Sequence, residues 1–183
     1  MTLGLAVLLF VTLQRGGELV LARRNTRRLL KRGALEASPG HYPLIVLVHA
    51  GWLIALWVFG WNKPVQLGWL SGFAGLQVCR LWVLATLGER WTTRIVVLPG
   101  AAPIRHGPYR FVSHPNYCVV AGEIAVLPLA FGLPFCALVF STLNAVVLAI
   151  RIRAENRALT EQQAADEQTL GGHVRQGPYP RGY

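Results

Sequence analysis

From Tyr42 to Leu87 the chain reads YPLIVLVHAGWLIALWVFGWNKPVQLGWLSGFAGLQVCRLWVLATL. Two apolar runs stand here on either side of Lys63-Pro64, and Arg80 is the only Lys or Arg inside them. The first runs from about Tyr42 to Trp61 and the second from about Leu67 to Leu87. Each has roughly the 20 residues needed to cross a hydrocarbon layer of about 30 Å. The break between them is too short for anything but a turn, with proline unable to continue the first helix. A helical hairpin in a membrane is the reading.

The same pattern repeats on both sides. Downstream, apolar runs from about Pro115 to Phe131 and from about Pro134 to Ile150 are joined by Gly132-Leu133-Pro134. Upstream, Leu3 to Leu13 resembles a signal peptide but has no basic segment before it, and Arg15 and Glu18 follow in place of a cleavage site. It reads as a retained first helix from about Thr2 to Ala22. The expected fold is therefore an all-α integral membrane protein of about five transmembrane helices, a single domain over residues 1–183 with a polar tail from Arg151.

Composition agrees. Of 183 residues, 53% are hydrophobic and 14% charged, against about 25% charged in soluble domains. A net charge of +10 would suggest nucleic acid in a soluble chain, but the basic residues fall between the spans. Seven Lys and Arg lie from Arg15 to Arg32, four from Arg90 to Arg110 and five from Arg151 to Arg181. Basic loops stay in the cytoplasm, so the N-terminus is expected outside and the C-terminus inside. No nucleic-acid partner is expected; the partner is the bilayer. Cys79, Cys118 and Cys136 are scattered through the spans, which argues against a disulfide framework and against a metal site.

Ionisable residues inside a span cost at least about 2.5–3.5 kcal/mol at mid-membrane, so each needs a reason. Glu18 and Arg80 lie near cytoplasmic ends and can snorkel. His49 and Glu123, with the neutral Asn144, are candidates for a polar substrate pocket; a buried Glu123–Arg80 pair that holds helices together is the other reading. The densest stretch is Arg105-His106-Gly107-Pro108-Tyr109-Arg110-Phe111-Val112-Ser113-His114-Pro115-Asn116-Tyr117. Gly107-Pro108 makes a turn, and Pro115 suits the first position of a helix with Ser113 or His114 at its cap. Free N–H groups at such a cap favour an anion. After the last span comes Arg151-Ile152-Arg153-Ala154-Glu155-Asn156-Arg157-Ala158-Leu159. If that span continues as helix, Arg151, Glu155 and Leu159 share one face.

These elements together resemble the isoprenylcysteine carboxyl methyltransferase family. The resemblance lies in Gly107-Pro108-Tyr109, His114-Pro115-x-Tyr117 and Arg151-x-x-x-Glu155-x-x-x-Leu159, supported by Glu18-Leu19, Ala22-Arg23-Arg24-Asn25 and His41-Tyr42-Pro43. It looks like the bacterial branch associated with type III polyketide synthases, whose members methylate alkylpyrones or related phenolic lipids. The resemblance implies an S-adenosylmethionine cofactor bound on the cytoplasmic side of the bacterial inner membrane without a Rossmann domain, and the chain has no G-x-G-x-x-G. It implies that Gly107, Tyr109, His114 and Tyr117 line the cofactor pocket and that Arg151 and Glu155 are catalytic. Ser113 and Asn156 depart from the family pattern, as does the tail beyond Leu159.

Methyl transfer needs alignment above all, and alignment supplies roughly 7–11 kcal/mol. No residue stands out as a general base, which favours an acceptor that is already acidic. Two other readings exist. NADPH-dependent membrane reductases carry a similar His-Pro-Asn-Tyr element with an acidic residue after it, as Asn116 and Glu123 could be. A membrane scaffold would explain the spans but leave the charged constellation idle.

Overall fold

The computed structural model of the chain describes residues 2–36, 42–102 and 104–175, with side chains of the last helix described through Glu155 and at Arg157 and Thr160. Five helices carry the fold: α1 (Leu3–Lys31), α2 (Tyr42–Gly60), α3 (Leu67–Leu87), α4 (Pro115–Ala130) and α5 (Pro134–Arg175). Four of them, α1, α2, α3 and α5, are long and apolar enough to cross a membrane. The protein is all-helical in its main elements, with several apolar helices of a multi-pass membrane protein.

α4 is the exception in length. Its 16 residues reach about 24 Å at 1.5 Å per residue, short of a hydrocarbon core of about 30 Å. Yet it is the most enclosed helix. Val119, Val120, Glu123, Ile124 and Leu127 are all buried, because α4 packs against α3 on one side and α5 on the other. Pro115 starts it at a position where a missing N–H costs nothing. It stops at Phe131, and the Leu133 N–H folds back to the Pro128 carbonyl at 2.9 Å.

The core gathers around α4. Leu8 and Val11 from α1, Trp52 and Leu56 from α2, and Phe73 from α3 meet Val120, Ile124, Leu127 and Phe131. Between apolar helices in lipid, close packing and hydrogen bonds replace the hydrophobic effect as the attraction. Gly122 provides such an approach: a Cβ there would stand 2.9 Å from a Leu76 methyl, so any larger residue requires the Leu76 side chain to shift. The Trp52 indole donates to the Ile124 carbonyl at 3.2 Å, and Trp57 donates to Thr12 at 2.9 Å. The outer surfaces are apolar instead of polar. Leu13, Val20, Leu47, Val78, Leu81 and Phe135 are all exposed, an arrangement that suits lipid and not water.

Three features go beyond the sequence expectation. α1 does not end near Ala22 but runs to Lys31. Its apolar character stops, but its packing period continues: Ala22, Asn25, Thr26 and Leu29 are buried on one face. Asn25 donates to the carbonyls of Gly88 and Trp91 at 3.1 and 2.9 Å, tying this extension to a short 3₁₀ turn, Gly88–Arg90, at the end of α3. Likewise α5 does continue as helix past the apolar span that ends near Ile150, as the alignment of Arg151 and Glu155 requires, and it runs as far as Arg175. Finally a small antiparallel pair, β1 (Leu35–Glu36) with β2 (Val96–Val97), closes the polar side, joined by a Glu36–Arg94 ion pair of 2.9 Å.

Candidate functional site

The segment that follows α3 makes a second 3₁₀ turn over Gly107–Arg110 before α4 begins. Gly107 has φ +60, and a Cβ there would lie 2.9 Å from the Thr86 Cγ2. The turn is thus pressed onto the end of α3 at a point no other residue can occupy without strain. Its effect is to set the position of Tyr109. His114 is the cap of α4, as one of the two expected residues, and its side chain makes no capping bond. Its ring is free to stack on Tyr117, with centroids 5.2 Å apart and planes 13° from parallel.

α5 completes the group. Its continuation past the apolar stretch puts Arg151 and Glu155 on one face, against the start of α4. The Tyr117 hydroxyl donates to the Glu155 carboxylate at 2.6 Å, and His114 Nδ1 stands 3.9 Å from the same oxygen. The Arg151 guanidinium lies 5.8 Å from the Tyr117 ring centre. Tyr109 is half-buried, and burial, then the nearby Glu155 charge, pushes its phenol up to about 12. That hydroxyl remains protonated near neutral pH. Of the six residues expected at the cofactor and catalytic positions, five converge here; Gly107 supports them from behind. Arg153 and Arg157 are exposed, turned away from the group.

The cluster has spare bonding capacity. Arg151 is 5% exposed, yet its Nε has no partner, and the buried Oδ1 of Asn116 has none either. Buried polar atoms are normally paired; among the described residues Gln14 Oε1, Arg15 Nε, Trp91 Nε1 and Asn144 Oδ1 are unpaired as well. Among the described residues no trio of His, Cys, Asp or Glu could hold a metal ion.

The other candidates lie deeper. Glu123 is fully buried and saturated. Arg80 grips both its oxygens, through Nε at 2.7 Å and through the terminal nitrogen Nη2, while Arg15 reaches it at 2.6 Å and Gln77 at 2.8 Å. Arg80 also bonds Glu18 at 3.1 Å, and Gln14 joins Glu18 to Gln77 at 2.9 and 2.7 Å. Arg80 therefore does not snorkel; it is 2% exposed and clamps α1, α3 and α4 together. His49 holds the Ile45 carbonyl at 2.8 Å and lies within electrostatic reach of Arg15, Arg80 and Glu123. Asn144 is buried with its Oδ1 unpartnered, two turns above Arg151 on α5. Sequence reading missed Arg15 and Gln77, because nothing in their spacing points at a residue on α4. His41 and the side chains of Asn156 and Leu159 lie outside the described residues.

A bundle of apolar helices with a polar cluster, where α4 begins and α5 leaves its apolar stretch, defines a multi-pass membrane protein. The chain belongs to the isoprenylcysteine carboxyl methyltransferase (ICMT) family, whose model matches residues 69–161, just over half of it and including every member of the cluster. It is similar to an uncharacterized protein, YpbQ, of Bacillus subtilis, at 40% identity over 153 residues, which covers 81% of this chain and 91% of the relative. An uncharacterized protein of Haemophilus influenzae is 26% identical over 149 residues, covering 78% of this chain and 86% of the relative. No solved structure matches the chain.

Proposed function

We propose that the protein is an S-adenosylmethionine-dependent O-methyltransferase acting on a lipophilic acceptor at the cytoplasmic face of the bacterial plasma membrane. One observation carries the reading: His114, Tyr117, Arg151 and Glu155 converge from two helices with buried bonding capacity left over. The donor set fits the cofactor. Arg151 would hold a carboxylate, Glu155 an ammonium or hydroxyl group, and the Tyr109, His114 and Tyr117 rings a flat base or a sulfonium. The bound cofactor supplies an electrophilic methyl group, which moves to the acceptor oxygen as the carbon–sulfur bond breaks and leaves a neutral thioether.

The residues of the chain orient and neutralise. Tyr117 fixes the Glu155 carboxylate through its hydroxyl, and Arg151 is held close by against the Tyr117 ring. Glu155 is already engaged by the Tyr117 hydroxyl and Tyr109 is protonated, so no group in the cluster is dedicated to stripping a proton from the acceptor. The acceptor should therefore arrive ionised. A carboxylate of reference pKa about 4 or an acidic enol meets that demand, whereas a phenol near 10 does not. An alkylpyrone or a prenylcysteine-like carboxylate fits better than a simple phenolic lipid. Asn144, with its free Oδ1, is the pocket candidate best placed to meet the acceptor's polar end; His49 lies deeper, beside the Glu123 network. A functional link with a type III polyketide synthase would supply alkylpyrones.

Purified protein in detergent, given cofactor labelled in its methyl group, should transfer label to an alkylpyrone or prenylcysteine acceptor. Transfer to neither, together with thermal protection by NADPH and not by S-adenosylmethionine, would replace this reading with a reductase. Orientation has its own check: cysteines introduced at Lys63 and at Gly100 should be labelled from opposite sides of the membrane.

A further inference from the structure

The extension of α1 beyond its apolar stretch carries a charge pattern that the site does not use. Arg23, Arg24, Arg27, Arg28 and Lys31 are all exposed, and with Val20 they line a shallow groove of about 400 Å³. At 3.6 residues per turn these positions fall within an arc of about 140°. The buried residues Ala22, Asn25, Thr26 and Leu29 occupy the opposite side. Arg28, like Arg32 beyond the groove, is paired with Glu89. Among the described residues, Arg23, Arg24, Arg27 and Lys31 have no acidic partner.

What lies above the groove identifies its occupant. Following the same arc upward along α1, the positions are Val20, Gly17, Gly16, Leu13, Phe10 and Leu9, all exposed and none polar. One helix face is thus greasy for more than two turns and then cationic for about two more. A free phosphate would use only the lower half. A molecule with an anionic head and acyl chains uses both, with charges meeting charges and chains lying on the leucines.

We propose that this face of α1 is a binding site for an anionic glycerophospholipid, its phosphate held by Arg23, Arg24, Arg27 and Lys31 and its chains lying along Val20, Leu13 and Leu9. The site is separate from the His114–Glu155 cluster, and its existence does not depend on methyl transfer.

The test uses the full-length purified chain in a neutral detergent. Titration with phosphatidylglycerol should raise the thermal unfolding midpoint, while phosphatidylcholine and soluble glycerol 3-phosphate at matched concentrations should not. R24Q/R27Q should weaken the apparent affinity for phosphatidylglycerol at least about tenfold, given what each basic residue contributes at an anionic surface. The charge-matched R105Q/R110Q should leave it unchanged. Equal stabilisation by phosphatidylcholine, or by glycerol 3-phosphate alone, would overturn the proposal, as would equal loss in the two double variants. Should R24Q/R27Q fail to fold, a photo-crosslinking residue in place of Val20 decides. Capture of phosphatidylglycerol over phosphatidylcholine supports the site, and capture of both alike overturns it.

Discussion

Two groupings of Arg and Glu touch α4, one around Glu123 and one around Glu155, and they differ in how the carboxylate is held. In the Glu123 network every carboxylate oxygen is occupied, by Arg80, Arg15 and Gln77 around Glu123 and by Arg80, Arg15 and Gln14 around Glu18. In the Glu155 cluster one oxygen takes the Tyr117 hydroxyl and His114 stands 3.9 Å from it; unpaired buried atoms occur in both groupings, Gln14 Oε1 and Arg15 Nε in the first and Arg151 Nε in the second. Charges inside a low-dielectric region are tolerated only with partners. A set that is complete within the chain holds the chain together. A carboxylate that the chain does not surround with cations can take a partner from outside it.

The comparison breaks first if the deep network is dispensable. Glu123→Ala leaves Arg80 buried without its main counter-charge, and such losses cost about 3–5 kcal/mol. Thermal unfolding of the purified variant should show it; a parental midpoint would mean that the network is not a clamp. Arg151→Ala and Glu155→Gln should behave in the reverse manner. Methyl transfer should fall about 30- to 1,000-fold, or roughly 2–4 kcal/mol, while the midpoint moves little, and kcat/KM beside a melting curve separates the two effects. Glu155→Gln with full activity would remove that carboxylate from the mechanism.

Smaller effects sharpen the contrast. Gly107→Ala meets both a positive φ and the Thr86 side chain, at a cost of about 1–2 kcal/mol for the backbone alone. Because the turn sets Tyr109, cofactor affinity should fall as well. Thr86→Ala combined with it should recover part of the stability, and no recovery would show that the backbone angle alone is responsible. Arg153→Lys, on an exposed face of α5, should lie within about 0.5 kcal/mol of the parent and keep full activity. A loss there equal to that of Arg151→Ala would mean that surface charge, and not a specific pocket, drives the reaction.

Most of the architecture could be read from residue order because it depends on local content. Twenty-residue apolar runs, Lys63-Pro64 and Gly132-Leu133-Pro134 all act within one or two turns. The i, i+4 relation of Arg151 and Glu155 is local too, and so was legible. The full lengths of α1 and α5 were not, since apolarity marks where lipid ends and not where a helix ends. Asn25 keeps α1 helical by bonding residues more than sixty positions away. Arg15 finds Glu123 at a separation of 108 residues, and no spacing rule reaches that far. The β1–β2 pair has two residues in each strand, too few for any alternation to register.

Arg15 and Glu18 also bear on how the chain enters the bilayer. Bonded to each other at 2.9 Å one turn apart on α1, they are a neutral couple that this helix can make without any other helix. An isolated charge near the middle of an inserting helix costs at least about 2.5–3.5 kcal/mol; a local couple lowers that burden at the moment when α1 has only lipid around it. Arg80 and Glu123 have no such companion on their own helices. Each is spared a lonely charge only when α3, α4 and the waiting α1 come together, so the assembled bundle is favoured over helices that have inserted but not yet met.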